Sequence, residues 1–191
     1  WLLNLYNFMD GIDAIAATEL LFVNAMSSIF AIQAGDMALA LLSASLFAAS
    51  AGFLVWNWPP AKLFMGDVGS NSIGFILGVL ALASMHSGTL TAWTWLILLG
   101  VFVADSGVTL MVRFVNKEKW HEGHSCHAYQ NAARRWESHE KVVLWILLVN
   151  LIWLAPLSWL SFLYPENGFY ICFAALTPLV YLCIKYKAGM R

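Results

Sequence analysis

Six long apolar runs, separated by short polar islands, constrain this chain more than any other feature. They cover residues 14–31, 37–57, 72–88, 90–112, 142–163 and 167–186. A helix needs roughly 20 apolar residues, with about 17 to 25 allowed, to cross the hydrocarbon core of a bilayer. Lipid offers the backbone no hydrogen-bond partners, so a spanning segment must be a helix or part of a closed barrel. The alternation of a barrel strand is absent, because stretches such as Trp95-Leu96-Ile97-Leu98-Leu99 are continuous. The expected fold is therefore all-α, a polytopic integral membrane bundle of about six transmembrane helices within a lipid bilayer. Composition agrees, with apolar types at 61% of the 191 residues and charged types at 11%. A soluble domain carries about 25% charged residues, and a mean hydropathy of +0.71 excludes that class.

The connections then alternate between two sides. Residues 1–13, 58–71, 113–141 and 187–191 hold Lys62, Arg113, Lys117, Lys119, Arg134, Arg135, Lys141, Lys187 and Arg191, and Lys185 snorkels from the last turn. The opposite turns, 32–36, 87–89 and 164–166, hold only Asp36 and Glu166 as charges. The positive-inside rule puts the first set in the cytoplasm, and all 10 cations obey it. Trp56, Trp58, Trp93, Trp95, Trp120, Trp153 and Trp159 lie near span ends, as an interfacial aromatic belt requires. Cys126, Cys172 and Cys183 imply no disulfide framework. The net charge of −1 says nothing about nucleic acid; no basic-aromatic groove appears, so no nucleic-acid partner is expected. The chain opens on Trp1 with polar residues following at once, and is expected to be the C-terminal part of a longer protein. Residues 1–191 read as a single transmembrane domain whose chemistry faces the cytoplasm of a multi-pass inner (plasma) membrane protein.

Three polar islands carry that chemistry. The first is Asn4-Leu5-Tyr6-Asn7-Phe8-Met9-Asp10-Gly11-Ile12-Asp13, with polar residues at every third position. One continuous helix could not put Asn4 and Asp13 on a common face, so the segment is expected to run as a loop or tight turn into the first span. Helix capping by Asp10 and Asp13 is the plain alternative, yet it leaves two amides unexplained. The second island runs from Asn57 through Pro59-Pro60 and Lys62 to Phe64-Met65-Gly66-Asp67-Val68-Gly69-Ser70-Asn71. The prolines stop the preceding helix, Gly66 and Gly69 allow a tight turn, and Ser70 or Asn71 is expected to cap the next helix, whose N-terminus suits phosphate. A hard cation bridging phosphates would want the Asp67 carboxylate; an ordinary turn is the alternative. Gly74 and Gly78 read as close helix packing.

The third island, the 113–141 loop, holds His121, His124, Cys126, His127 and His139 among basic residues. Zinc would need four ligands at suitable spacing, and no partner cysteine pair exists. A basic, histidine-bearing surface suits a polyanion better. Asp105 lies within a span, and such carboxylates default to function unless a polar neighbour pairs with them. Glu19 and Asn24 read as interhelical contacts.

The ordered set of Asn4-x-x-Asn7-Phe8-Met9-Asp10-Gly11-Ile12-Asp13, Phe64-Met65-Gly66-Asp67-Val68-Gly69-Ser70, Asp105 and His124-Ser125-Cys126-His127 resembles one family. It is the polyprenyl-phosphate N-acetylhexosamine-1-phosphate transferases, also called glycosyltransferase family 4. The resemblance implies Mg²⁺-dependent transfer of a sugar-1-phosphate from a UDP-N-acetyl sugar to undecaprenyl phosphate, with release of UMP; Mn²⁺ is an allowed substitute. It implies Asp67 as the metal ligand, and Asp10, Asp13, Asp67, His124 and His127 as active-site groups. Asn4, Asn7, Asn57, Phe64, Gly66 and Arg113 are the corresponding substrate-binding candidates, with Asn57 and Phe64 toward uridine. The family's paired-aspartate motif lies upstream of the Asn-rich motif and is absent from this chain, so the chain by itself is expected to be inactive. The sparse histidine motif is closer to the branch that initiates O-antigen or other surface-polysaccharide synthesis than to phospho-MurNAc-pentapeptide transferases of peptidoglycan synthesis. A homodimer is allowed for. The rival from another class is a transporter using Asp105, Glu19 and Asn24 as a polar path, which should show polar residues at the midplane of several helices.

Overall fold

The computed structural model describes residues 1–117 and 125–190, and every regular element among them is helical. In chain order these are α1 (Leu2–Met9), α2 (Ile15–Ala34), α3 (Met37–Asn57), α4 (Gly66–Ser87), α5 (Ala92–Leu98), α6 (Gly100–Val115), α7 (Ala128–Trp136), α8 (His139–Val149), α9 (Ala155–Leu163) and α10 (Gly168–Lys185). A π turn, Asn150–Leu154, joins α8 to α9, so His139–Leu163 forms one continuous 25-residue span. Five helical segments are long and apolar enough to cross a membrane, and the bent α5–α6 pair makes a sixth. The expected polytopic bundle is thus present.

Residues 90–112 do not form the straight span expected of them. The chain turns by 85° between α5 and α6. Leu99 leaves helical geometry at φ −93, ψ 16, and Gly100 next to it lies where a Cβ would stand 3.1 Å from Leu154. Close packing of a backbone corner, without proline, therefore sets the bend. The Trp95 indole belongs to this interior corner and not to an interfacial belt: it is 4% exposed and donates to Ser84 Oγ at 2.8 Å. Trp120 lies outside the described residues.

The first island also differs from expectation. Residues 2–9 are helical, because Leu5, Tyr6 and Met9 recur at a spacing that buries one face. The turn comes afterwards, at residues 10–14, where Ala14 adopts φ 64 and starts α2. Asp10 thus ends α1 and does not cap the N-terminus of α2. Tyr6 Oη donates to Ala16 O at 2.8 Å and ties the short helix to α2. α1 crosses α4 at Gly74, where a Cβ would stand 2.7 Å from Leu2 O, so Gly74 does serve close packing, whereas a Cβ at Gly78 would meet only Leu2 Cδ1 at 3.8 Å. Asn150 Nδ2 donates to Glu19 Oε2 at 2.6 Å, the expected interhelical contact. Asn24 instead donates to Leu20 O of its own helix.

The two ends of the bundle are chemically distinct. At one end Asp36 caps α3 through Leu39 N and accepts from Thr89 Oγ1 at 2.7 Å, joining two short turns. At the other end the 10–14 turn, the 58–65 loop and α7 come together. Among the described residues, Lys62, Arg113, Lys117, Arg134, Arg135, Lys141, Lys185 and Lys187 all lie on or beside the connections and helix ends of that side. Lys119 and Arg191 lie outside the described residues.

Candidate active site

Asn7 is half-buried on the face of α1 that meets α4. Its Nδ2 donates to Asp67 Oδ1 and to Ser70 Oγ, both at 3.0 Å, and thereby joins the first island to the second. Asn4, one turn earlier on the same face, is exposed. Gly66 takes φ +67 and opens α4, one turn sooner than the expected cap at Ser70 or Asn71. Ser70 lies inside the helix, its hydroxyl donating to Gly66 O at 3.2 Å. Asp67 consequently occupies the first turn of α4, where the positive end of the helix dipole favours an anion.

Asp10 faces Asp67 across this junction. Burial, followed by the charge of Asp67, pushes the Asp10 carboxyl from 3.8 up to about 7. A carboxyl whose ionisation is opposed by a neighbouring carboxylate forms with it a donor pair that a cation would relieve. Among the described residues no group of three or more His, Cys, Asp or Glu side chains is arranged around a common metal position. Such a set is not needed for Mg²⁺, which takes one or two carboxylates and completes its shell with water and substrate phosphate. The residues present therefore fit that ion.

Asn57 is 4% exposed, and both ends of its amide are engaged by the backbone. Ala14 N donates to its Oδ1 at 2.9 Å, and its Nδ2 donates to Leu63 O at 2.8 Å. Its place is therefore between the 10–14 turn and the proline loop, holding one to the other. Asp13 adds a second tie, its Oδ2 accepting from Ala61 N at 3.2 Å. Phe64, in contrast, is 70% exposed at the tip of that loop, where an aromatic face is open to a ligand.

The third island is attached through Asp105. Its buried carboxylate accepts from Ala128 N and Tyr129 N, each at 2.9 Å, and from Thr109 Oγ1 at 3.1 Å. His127 Nδ1 lies 3.2 Å from the same Oδ1. One side chain of α6 thus neutralises the N-terminus of α7 and orients the histidine, so the polar-pairing alternative for Asp105 holds. His127 is buried, with its main-chain N donating to Gln130 Oε1 at 3.2 Å. Arg113 is buried as well, 3.5 Å from Cys126 Sγ. His124 and His121 lie outside the described residues. Among the described residues Cys126, Cys172 and Cys183 form no disulfide, as expected.

Tyr129 closes the ring of contacts. Its hydroxyl donates to Phe8 O at 3.0 Å, and Gly11 packs so tightly against it that a Cβ would overlap the phenol oxygen. Burial, then the Asp105 and Asp10 carboxylates, push the hydroxyl well above its usual range, so it stays a donor. Neither Tyr129 nor Gln130 was among the sequence-level candidates. The pattern His127-x-x-Gln130 ahead of a helix resembles a capping box and was the available signal. Beside these contacts opens a polar cleft of about 740 Å³. Its walls are Gly11 to Asp13, Pro59-Pro60 and the α7–α8 junction.

Residues 1–85 match the model of glycosyl transferase family 4. A probable undecaprenyl-phosphate N-acetylglucosaminyl 1-phosphate transferase of Bacillus subtilis (strain 168) is 32% identical over 99 residues, 51% of this chain and 28% of that protein. A phospho-N-acetylmuramoyl-pentapeptide-transferase of Streptococcus thermophilus (strain CNRZ 1066) is 35% identical over 123 residues, 63% of this chain and 35% of its own length. A protein of the same name from Prochlorococcus marinus (strain MIT 9301) is 42% identical over 67 residues, 34% of this chain and 17% of its own length. The aligned part of the chain thus spans about a third or less of these relatives. Over its first 85 residues the chain is thus similar to glycosyl transferase family 4, and over the aligned stretches to these undecaprenyl-phosphate and pentapeptide transferases.

Proposed function

We propose that this chain forms the donor side of a phosphoglycosyl transferase. In that reaction N-acetylhexosamine-1-phosphate passes from a UDP-sugar to undecaprenyl phosphate, and UMP is released. The observation that carries the reading is the convergence of three distant polar islands at one end of the bundle. Asn7 meets Asp67, Asp13 meets Ala61, and Tyr129 meets Phe8, and Asp13 together with Gln130 next to Tyr129 lines one cleft. Its volume, about 740 Å³, suits a ligand the size of a nucleotide sugar, since small-molecule sites occupy about 300–1,000 Å³. A transporter path gains no support from Glu19, whose Oε2 is occupied by Asn150, or from Asn24, which bonds its own helix.

The chemistry joins two anions. A phosphate oxygen of the lipid attacks the sugar-bearing phosphorus of the UDP-sugar, that phosphorus–oxygen bond to the UMP phosphate breaks, and UMP leaves with the electron pair. Repulsion between the reactants is the obstacle, so positive charge must be held where charge accumulates. Asp67, with Asp10 beside it, would hold Mg²⁺, which would offset the charge that builds up on the phosphates. Asn7 keeps the Asp67 carboxylate aimed by occupying Oδ1. The exposed ring of Phe64 offers a stacking face for uracil. A lipid-linked acceptor accounts for a site at the end of a bundle of spanning helices, and the gathered cations support a cytoplasmic placement of that end.

Two donor classes remain in view. The sparse His124–His127 motif favours a surface-polysaccharide sugar, whereas the pentapeptide-transferase relatives favour UDP-MurNAc-pentapeptide. UMP release by the full-length protein should be measured in membranes with undecaprenyl phosphate and each UDP-sugar in turn, for wild type and Asp67→Ala. Release that is lost in Asp67→Ala supports the reading. Equal release by both proteins, or no release with any donor, refutes it.

A further inference from the structure

His139 belongs to the histidine-bearing island but not to the His124–His127 motif, and the proposed reaction leaves it without a role. It is the first residue of α8, fixed in place by the cap in which Lys141 N donates to Ser138 Oγ at 3.2 Å. From there its imidazole reaches back across the cleft to Asp13. Nδ1 lies 3.4 Å from Asp13 N and 3.4 Å from Asp13 Oδ2. One ring nitrogen cannot accept from the amide N–H and donate to the carboxylate at once. With the proton on Nε2, Nδ1 takes the amide; with the proton on Nδ1, it gives it to the carboxylate. In either form the ring holds Asp13, on the backbone side or on the side-chain side.

The same Asp13 Oδ2 also accepts from Ala61 N. The side chain is 18% exposed and lines the cleft, so these two ties decide where the carboxylate points. We propose that His139 is a positioning residue, which holds Asp13 in the orientation the cleft needs for its nucleotide ligand. The proposal rests on the transferase reading for what Asp13 does, but the contact itself does not.

Three replacements separate the roles. His139→Leu removes every polar contact. His139→Asn puts an amide oxygen and nitrogen near the place of Nδ1 and can serve Asp13 in either sense, whereas His139→Gln carries them one methylene too far. In the full-length protein, kcat for UMP release should fall about tenfold or more in His139→Leu and His139→Gln, with KM for the UDP-sugar within about threefold. His139→Asn should keep kcat within about threefold of wild type. Size-exclusion profiles in detergent report whether each variant is folded. A double-mutant cycle on the thermal midpoint gives a readout independent of activity: the drop of about 2 °C expected from His139→Leu should vanish in an Asp13→Ala background. Additive midpoints overturn the contact with the Asp13 carboxylate, and with it the positioning role. Coupled midpoints with unchanged kcat, or a folded His139→Asn as slow as His139→Leu, overturn the positioning role. Absence of UMP release in wild type removes the transferase reading, and the positioning role with it, while coupled midpoints would keep the contact.

Discussion

Adding one methyl group at Gly11 tests whether α1 and α7 are locked together through Tyr129. A Cβ there would overlap Tyr129 Oη and stand 2.7 Å from Gln130 Nε2, with Tyr129 Cζ next at 3.2 Å. The Gln130 amide is the end of a flexible side chain and can yield. Tyr129 cannot yield freely, being 4% exposed, with its main-chain N bonded to Asp105 and its hydroxyl to Phe8 O. Overpacking of this kind costs about 1–3 kcal/mol, and losing the Tyr129–Phe8 bond adds about 1 kcal/mol. Gly11→Ala should therefore destabilise by roughly 2–4 kcal/mol, a drop of about 5–15 °C in thermal midpoint for a chain of this size. Tyr129→Phe alone forfeits the hydrogen bond and should cost about 1 kcal/mol. It also deletes the atom that a Cβ overlaps, leaving the ring carbon at 3.2 Å as the nearest part of that side chain. The double variant should consequently be more stable than Gly11→Ala, a reversal that additive effects cannot produce. Thermal unfolding of the four proteins in detergent reads this directly. A double variant no more stable than Gly11→Ala would show that the phenol oxygen is not the obstacle, and the proposed lock would fail.

The Asp10 carboxyl, raised from 3.8 to about 7 mainly by burial and then by Asp67, is protonated in the folded protein at pH values where it ionises in the unfolded chain. Its contribution to stability therefore falls as pH rises from about 4 to about 7 and is constant above, by a few kcal/mol at most since the half-buried group is screened. In metal-free buffer, melting of Asp10→Asn should depend less on pH across that window than wild type; identical profiles would contradict it. Asp105→Ala should destabilise by about 3 kcal/mol or more, because two amides, a hydroxyl and a ring nitrogen lose their shared acceptor. Hydrogen exchange at Ala128 and Tyr129 should rise in that variant, and unchanged protection would refute the assigned role.

The features legible in the sequence are those whose cause is local. Hydropathy over some 20 residues is enough to place a span, and the helices found at Met37–Asn57 and Gly168–Lys185 nearly coincide with the apolar runs at 37–57 and 167–186. The side on which the lysines and arginines gather follows from counting spans. The Asn-Asp stretch and the glycine-flanked Asp67 were likewise visible as polar residues where lipid-facing sequence should be apolar.

Other features depend on partners far away along the chain. Residues 90–112 carry no proline, and the approach of Leu154 and Leu176 to Gly100 accompanies the corner made there. In residues 2–9 the spacing of Leu5, Tyr6 and Met9 is too short a pattern to mark a separate helix, whose buried side is completed by α4 and α6. Asp105, read in isolation, was open between function and pairing, and the main-chain amides of Ala128 and Tyr129 decide it. His139 and Asp13 are 126 positions apart, so no spacing rule links them. Desolvation along a helix is settled by the residues of that helix, and this the sequence determines by itself. Which carboxylate meets which amide, hydroxyl or imidazole is settled only when the packed helices fix the distances, because hydrogen bonds vanish over an ångström of displacement.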